Sequence, residues 1–457
     1  MTAIREKTTK TAERPVTLRT MLPIISASTL GTSIEWFDFF FYGFLSVTVF
    51  PAVFFPKLAP FVGILASVST NFIGFVARPL GGAFFGWFGD RIGRKATLVA
   101  TLLLMGSSTM LMGILPGYAA IGIAAPLLLS LLRFLQGIAV GGEWGGSVLL
   151  SLEYGDDRHR GFWTSWPQAG VSIGLTLSAL VVLVFRSLFP GDAFDSIGWR
   201  IPLFQSSVLL IVGLYIRLRI METPVFTAVK QEQRISNAPL LEVVHYHWRE
   251  ILLCMLLRSG ETAPFYIFTT FALSYAVQVA QVNTTLLYTG LTLSSLVALV
   301  SMPLSALISD HVGRNRWFMW GTALMAGFAF PYFLLFQSKN AALILFALLF
   351  SVGVCFPWLY GPEAALIAEQ FGPRLRYSGA SLGYQLASVT AGGAAPIIAT
   401  YVLQNYKTMG GGFVASAPSY LLIALYIIFT SIVSCIAVYF LRDYTNRPTA
   451  PDDVSDV

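Results

Sequence analysis

Twelve uninterrupted apolar runs, each at least as long as a membrane is thick, divide this chain and leave few alternatives for its fold. A helix crosses a hydrocarbon core of roughly 30 Å with about 20 residues. The runs over 22–50, 61–89, 96–115, 122–150, 162–189, 201–220, 250–280, 285–309, 317–337, 341–369, 378–404 and 417–441 meet that length. Their continuity excludes a membrane β-barrel, whose strands read as short alternating segments. Only 11% of the 457 residues are charged and the mean hydropathy is +0.70, against about 25% charged residues in soluble domains. The expected fold is therefore an all-α membrane protein of twelve transmembrane helices. The first run is too long for a secretory signal core and no small-residue cleavage site follows it, so it counts as a membrane helix.

Basic residues set the orientation. With both termini on one side, 21 of the 29 Lys and Arg residues fall on that side, 5 fall on the other, and Arg78, Arg133 and Arg258 lie inside spans. Such an excess marks the cytoplasmic face, so cytoplasmic N- and C-termini are expected. Topology thus accounts for the net charge of +6 and implies no nucleic-acid partner. Cys254, Cys355 and Cys435 all fall within spans, with no disulfide or metal-ligand spacing, and read as small buried apolar residues.

Internal symmetry is visible in the loops. "GWFGDRIGRK" (Gly86 to Lys95) follows the second run and "SALISDHVGRN" (Ser305 to Asn315) the eighth, so Asp90, Gly93 and Arg94 match Asp310, Gly313 and Arg314 at an offset of 220. The same offset relates Gly141 and Glu143 to Gly361 and Glu363, and an offset of 216 relates Glu153, Arg158 and Arg160 to Glu369, Arg374 and Arg376. Repeats in this order indicate two six-helix halves in the same orientation, over 1–220 and 249–457. The segment 221–248 reads as a cytoplasmic linker, its charges, Pro224 and Pro239 mixed with apolar residues suiting a short helix on the membrane surface.

In the first repeated loop, Gly89 and Gly93 permit a tight turn, while Asp90 can accept hydrogen bonds from a neighbouring helix start. With Arg91 and Arg94, and with Asp310 and Arg314 in the second copy, the loops would form a conformational latch broken when helices separate. The plainer reading is a solvated loop that only fixes topology.

"GWFGDRIGRK" resembles the Gly-x-x-x-Asp-Arg-x-Gly-Arg-Lys signature of the major facilitator superfamily. "EWFDFFFYG", "FVARPLGG", "RFLQGIAVGGEWGG", "GWRIPLF", "METPVF" and "RYSGASLGYQLA" resemble its metabolite:proton symporter branch, over roughly residues 25–440. That branch includes bacterial shikimate, α-ketoglutarate, citrate and proline/betaine transporters. The resemblance implies a proton-coupled secondary transporter of the bacterial inner membrane, expected as a monomer, without enzymatic activity or cofactor. In "SDHVGRN", His311 and Asn315 replace basic residues of the first copy, so the second latch is expected to be the weaker.

Eight charges lie inside spans and more than five residues from either end: Glu35, Asp38, Arg78, Arg133, Glu143, Arg258, Glu261 and Glu363. Each costs about 2.5–3.5 kcal/mol at a helix centre on insertion scales, so they must be paired, face water, or work. Glu35 and Asp38 are three apart and share a helix face, a spacing that Arg258 and Glu261 repeat in the second half. A deprotonated Asp38 pairing with Arg133 on the fourth helix would be a proton switch, with Glu35 as a further proton-coupling candidate, and the resemblance favours Asp38 and Arg133; a permanent ion pair joining the helices is the structural alternative. All four histidines, His159, His245, His247 and His311, fall in loops, which leaves proton transfer in the membrane to carboxylates.

Arg258 can receive a substrate carboxylate bidentately, with Glu261 balancing its charge in an empty site. Trp36, Tyr42, Gln136, Gln168, Tyr384 and Gln385 are candidate substrate contacts, since ligand sites combine apolar walls with few polar anchors. Arg78 reads chiefly as a snorkelling residue near the inner end. The sequence contains no Walker-type phosphate loop, metal constellation or nucleophile constellation. Uptake of a small organic acid with protons is the leading expectation; a zwitterionic osmolyte is second, although the short Pro- and Asp-rich tail lacks coiled-coil heptads. An exporter or a membrane enzyme comes third.

Overall fold

The computed structural model describes residues 18–92, 94–219, 239–409 and 418–447. Twelve long helices account for most of them: α1 (Leu18–Thr48), α2 (Pro60–Ile92), α3 (Arg94–Ile114), α4 (Ala124–Tyr154), α5 (Arg160–Leu188), α6 (Arg200–Arg219), α7 (Trp248–Tyr275), α8 (Thr284–Val312), α9 (Arg314–Gln337), α10 (Ala341–Ala368), α11 (Arg376–Asn405) and α12 (Leu421–Phe440). Among the described residues, ten of these are long and apolar enough to cross a bilayer by composition alone, and α1 and α6 complete the set.

Boundaries follow local chemistry. Asn283 and Asn340 cap α8 and α10, each accepting a bond from a backbone N–H of the first turn. The α8 helix runs through Val312, past the apolar end at 309, because the chain stops only at Gly313, whose φ of +103° few side chains tolerate. Within the linker, Pro239–Tyr246 is a short helix tied to the second half by an Arg374–Glu242 ion pair at 2.6 Å. The rest of the linker, residues 221–238, lies outside the described residues.

The glycines of "GIAVGGEWGG" do what close helix approach demands. A Cβ on Gly137 would stand 2.1 Å from the Gly74 carbonyl oxygen, and one on Gly141 2.0 Å from that of Arg78, so α2 and α4 touch backbone to backbone. Helices α7, α10 and α11 each widen into π-helical turns at 267–271, 351–355 and 388–393. No apolar periodicity announces these turns, and they interrupt the α-helical ladder near the centre of the molecule.

The first and last six helices meet on both sides of the centre. Phe40 packs on Phe265 and Phe44 on Tyr288 toward one end. Toward the other, Tyr377 Oη donates to the Gly142 carbonyl at 2.5 Å and Gln385 Nε2 to that of Gly141 at 3.3 Å. The conformation is occluded.

Candidate functional site

In the first half, α1 carries Glu35 and Asp38 in a buried stretch. Asp38 Oδ2 accepts from Thr109 Oγ1 of α3 at 2.7 Å, and Thr109 in turn accepts from Gln136 Nε2 of α4 at 2.8 Å. Arg133, one turn from Gln136, donates through Nη1 to Gln136 Oε1 and through Nη2 to Asn71 Oδ1 of α2. Its Cζ lies 4.4 Å from the Phe39 ring centre and 4.2 Å from that of Tyr42. The expected Asp38–Arg133 pairing is therefore linked through a hydroxyl and an amide, joining four helices. Sequence reasoning misses Thr109 and Asn71; a polar side chain inside an apolar span, which needs a partner in lipid, is the signal that marks them.

In the second half, Arg258 Nε meets Glu363 Oε1 at 3.1 Å and Glu261 Oε1 at 3.3 Å. Its Nη1 donates to the Tyr384 carbonyl at 2.9 Å and to Ser388 Oγ at 2.7 Å, with Cζ 3.3 Å from the Tyr384 ring centre. Glu261 also accepts from Thr262. The guanidinium expected to await a substrate is held by two carboxylates, Glu261 of its own helix and Glu363 from α10.

Trp36, Arg258, Glu261, Tyr266 and Tyr360 line a central cavity of about 10 Å³, room for roughly one water. The amides expected on the wall instead join the halves. Gln168 accepts from Trp144 Nε1 at 2.9 Å and donates to the Tyr360 carbonyl at 3.3 Å. Gln385 reaches Gly141 as described, while Tyr384 stacks on Trp144 with ring centres 3.7 Å apart and bonds Tyr360 Oη at 2.7 Å. Tyr42 sits off this cavity, its hydroxyl 2.6 Å from Thr70 Oγ1.

At the end bearing the repeated loops, Asp310 accepts from the Gly161 and Phe162 backbone N–H groups at 3.0 and 2.9 Å. These are unsatisfied donors at the start of α5, where a negative charge is also favoured. Arg314 pairs with Asp310 at 2.8 Å and with Glu369 at 3.3 Å, and Glu369 also meets Arg160 at 3.4 Å. The second latch is thus formed across the halves despite His311 and Asn315, because Asn315 anchors instead on the Val438 and Leu441 carbonyls. The side chains of Asp90, Arg91 and Arg94 lie outside the described residues. Nearby, burial alone would push the Asp156 carboxyl up, but hydrogen bonds from Trp163 and His159 outweigh it and hold the group below its ordinary value. Among the described residues no three His, Cys, Asp or Glu side chains gather as a metal site requires.

Comparison with known proteins bears on the family and the fold. The model of the Major Facilitator Superfamily covers residues 37–396. The chain is 40% identical to the inner membrane metabolite transport protein YhjE of Escherichia coli (strain K12), over 88% of this chain and 92% of that protein. It is 35% identical to the shikimate transporter of the same organism, over 90% and 92%, and 32% identical to its proline/betaine transporter, over 95% and 88%. Among solved structures, the proton:xylose symporter XylE bound to 6-bromo-6-deoxy-D-glucose superposes with a TM-score of 0.70 at 16% identity, covering 94% of this chain and 97% of that one, a likeness of fold.

Proposed function

The chain belongs to the major facilitator superfamily, and on that premise we propose that it takes up a small organic acid together with protons by alternating access. The observation that carries the reading is the relay from Asp38 through Thr109 and Gln136 to Arg133. Thr109 Oγ1 also lies 3.1 Å from the Met105 carbonyl. When Asp38 takes a proton, its O–H donates to Thr109, whose own hydrogen turns to Met105. The hydrogen bonds are re-sorted rather than lost, and Arg133 no longer faces an anion through the relay.

Charge favours an acid as cargo. Arg78 and Arg133 are buried and form no direct ion pair among the described residues, so an anion entering between the halves meets cations without a carboxylate in contact. One proton crossing about 150 mV supplies roughly 3.5 kcal/mol, enough for two to three decades of accumulation. Two six-helix units, 1–220 and 249–457, would rock about the central site, opening the Asp310–Arg314 latch on the side that carries the excess of basic residues, which would be cytoplasmic with both termini. The protein works as a monomer in this scheme.

A zwitterionic osmolyte is the second reading, favoured by Glu261 at the cavity, which could meet a cationic nitrogen. Uptake into proteoliposomes under an inward proton gradient separates the two, comparing labelled shikimate, a hydroxybenzoate, α-ketoglutarate, citrate and proline. Gradient-driven accumulation of an acid supports the first reading. Accumulation of proline alone supports the second, and silence with every compound removes both.

A further inference from the structure

Two buried residues, one from each half, carry polar atoms with no hydrogen-bond partner among the described residues and pack on a shared set of rings. Arg78 of α2 is 2% exposed, and neither its Nε nor its Nη2 finds an acceptor. Its Cζ is boxed by Trp36, Phe39 and Phe75, at 5.4, 4.5 and 4.7 Å from their ring centres. Tyr266 of α7 is also 2% exposed with an unpartnered hydroxyl. Its ring stands edge-on to Phe75 and Phe39, with centres 5.2 and 5.9 Å apart. Trp36 and Tyr266 both line the central cavity, so one wall of the box borders it.

Rings stabilise the charge of a guanidinium but supply no lone pair for its N–H groups. Nε and Nη2 form one edge of the fork, the spacing that receives both oxygens of a carboxylate. Of the other two buried arginines of the spans, Arg133 gives both Nη groups to amides and lacks a partner only at Nε, and Arg258 is held by carboxylates, a carbonyl and a hydroxyl. Among the described residues Nε and Nη2 of Arg78 lack the acceptors that an anion arriving from the cavity would bring.

We propose that Arg78 and Tyr266 together receive the carboxylate of the transported acid, Arg78 through its Nε–Nη2 edge and Tyr266 by donating its hydroxyl hydrogen. The inference rests on the organic-acid reading above and deepens it. Because the two groups belong to different halves, the bound anion ties the halves together, and an empty site leaves both donors unsatisfied in the occluded state. Trp36, Phe39 and Phe75 select a small flat body behind the carboxylate, and a neutral amide of the same shape is refused because its NH₂ faces N–H donors.

The test is uptake of the labelled acid accumulated by the wild-type protein, and of its primary amide, in Tyr266→Phe, Arg78→Lys and Arg78→Gln proteoliposomes. Tyr266→Phe should raise KM for the acid about tenfold with little change in maximal rate. Arg78→Lys should raise it on the order of 100-fold, and Arg78→Gln should narrow the preference for acid over amide. A wild-type protein that accumulates no acid overturns the organic-acid reading and this inference with it. A wild-type protein that does so, while Tyr266→Phe keeps both its KM and its refusal of the amide, overturns this inference alone. Tyr266→Phe removes one oxygen and keeps the ring, so its result stays decisive even where the arginine variants fail to fold.

Discussion

The two halves share a fold and solve the same problem in opposite ways. In the second half a buried arginine, Arg258, is clamped by Glu261 and Glu363 and by the Tyr384 carbonyl and Ser388 hydroxyl. In the first half Arg133 and Arg78 are met by neutral amides and aromatic faces, and the nearest acid on the relay, Asp38, connects through Thr109 and Gln136. A guanidinium saturated with carboxylates is an anchor, since removing one partner strands a charge in low dielectric. One held by amides and rings keeps its response to an arriving proton or anion. The contrast assigns rigidity to the second half and responsiveness to the first.

The largest effect expected is from Arg258→Met. It leaves Glu261 and Glu363 buried beside each other, which should cost on the order of 3–5 kcal/mol, read as a lower midpoint of thermal unfolding in detergent. Adding Glu363→Gln should recover part of that loss. If Arg133→Met destabilises as much, the contrast between the halves is broken.

Asp38→Asn comes next and bears on transport rather than stability. The amide oxygen still accepts from Thr109, so the fold should hold, while accumulation under a proton gradient drops by the two to three decades that one proton supplies. Counterflow exchange of the same substrate should persist. Retained accumulation would show that the proton travels elsewhere.

Thr109→Val keeps shape and deletes the relay's central hydroxyl. With about 1 kcal/mol per hydrogen bond, the pH at which uptake is half-maximal should move while maximal uptake falls several-fold; an unchanged pH profile would detach Asp38 from Arg133. At the latch, Asp310→Asn weakens two bonds to the start of α5, an effect of about 1 kcal/mol. Labelling of a cysteine placed at the mouth of the cavity on that side should speed up several-fold.

The smallest effect concerns Asp156. Its carboxyl has a lowered pKa, so its contribution to the α4–α5 turn is present above the ordinary carboxylate value and is lost as pH falls through the lower, folded-state one. The side chain is partly exposed, and the contribution is under about 1 kcal/mol after screening by solvent. Protection factors of the 155–163 amides, taken relative to the intrinsic exchange rate at each pH, should fall in acid for the wild type and lose that dependence in Asp156→Asn.

Much of this architecture is legible in the sequence. Apolar runs mark all twelve helices to within a few residues, and Asp310 and Arg314 can be paired with Asp90 and Arg94 by offset alone. The glycines after Gln136 announce a close helix approach, and the α2–α4 contact is its result. Gln168 and Gln385 stand out as amides in lipid that need partners, yet their partners are backbone carbonyls of the opposite half. Arg78 reads as a snorkelling side chain because its distance from the membrane surface along α2 says nothing about the rings of α1 around it.

What the chain determined by itself is whatever depends on local composition: helix length, the sidedness implied by basic loops, and the identity of charges too costly to bury without purpose. Which charge meets which was decided only by tertiary structure. Glu363 lies 105 residues from Arg258 and Thr109 lies 71 from Asp38, and no periodicity reaches across such separations. A buried guanidinium accepts carboxylate, amide or aromatic neighbours at comparable distances, so the chemistry of one residue leaves the choice open until neighbouring helices close around it.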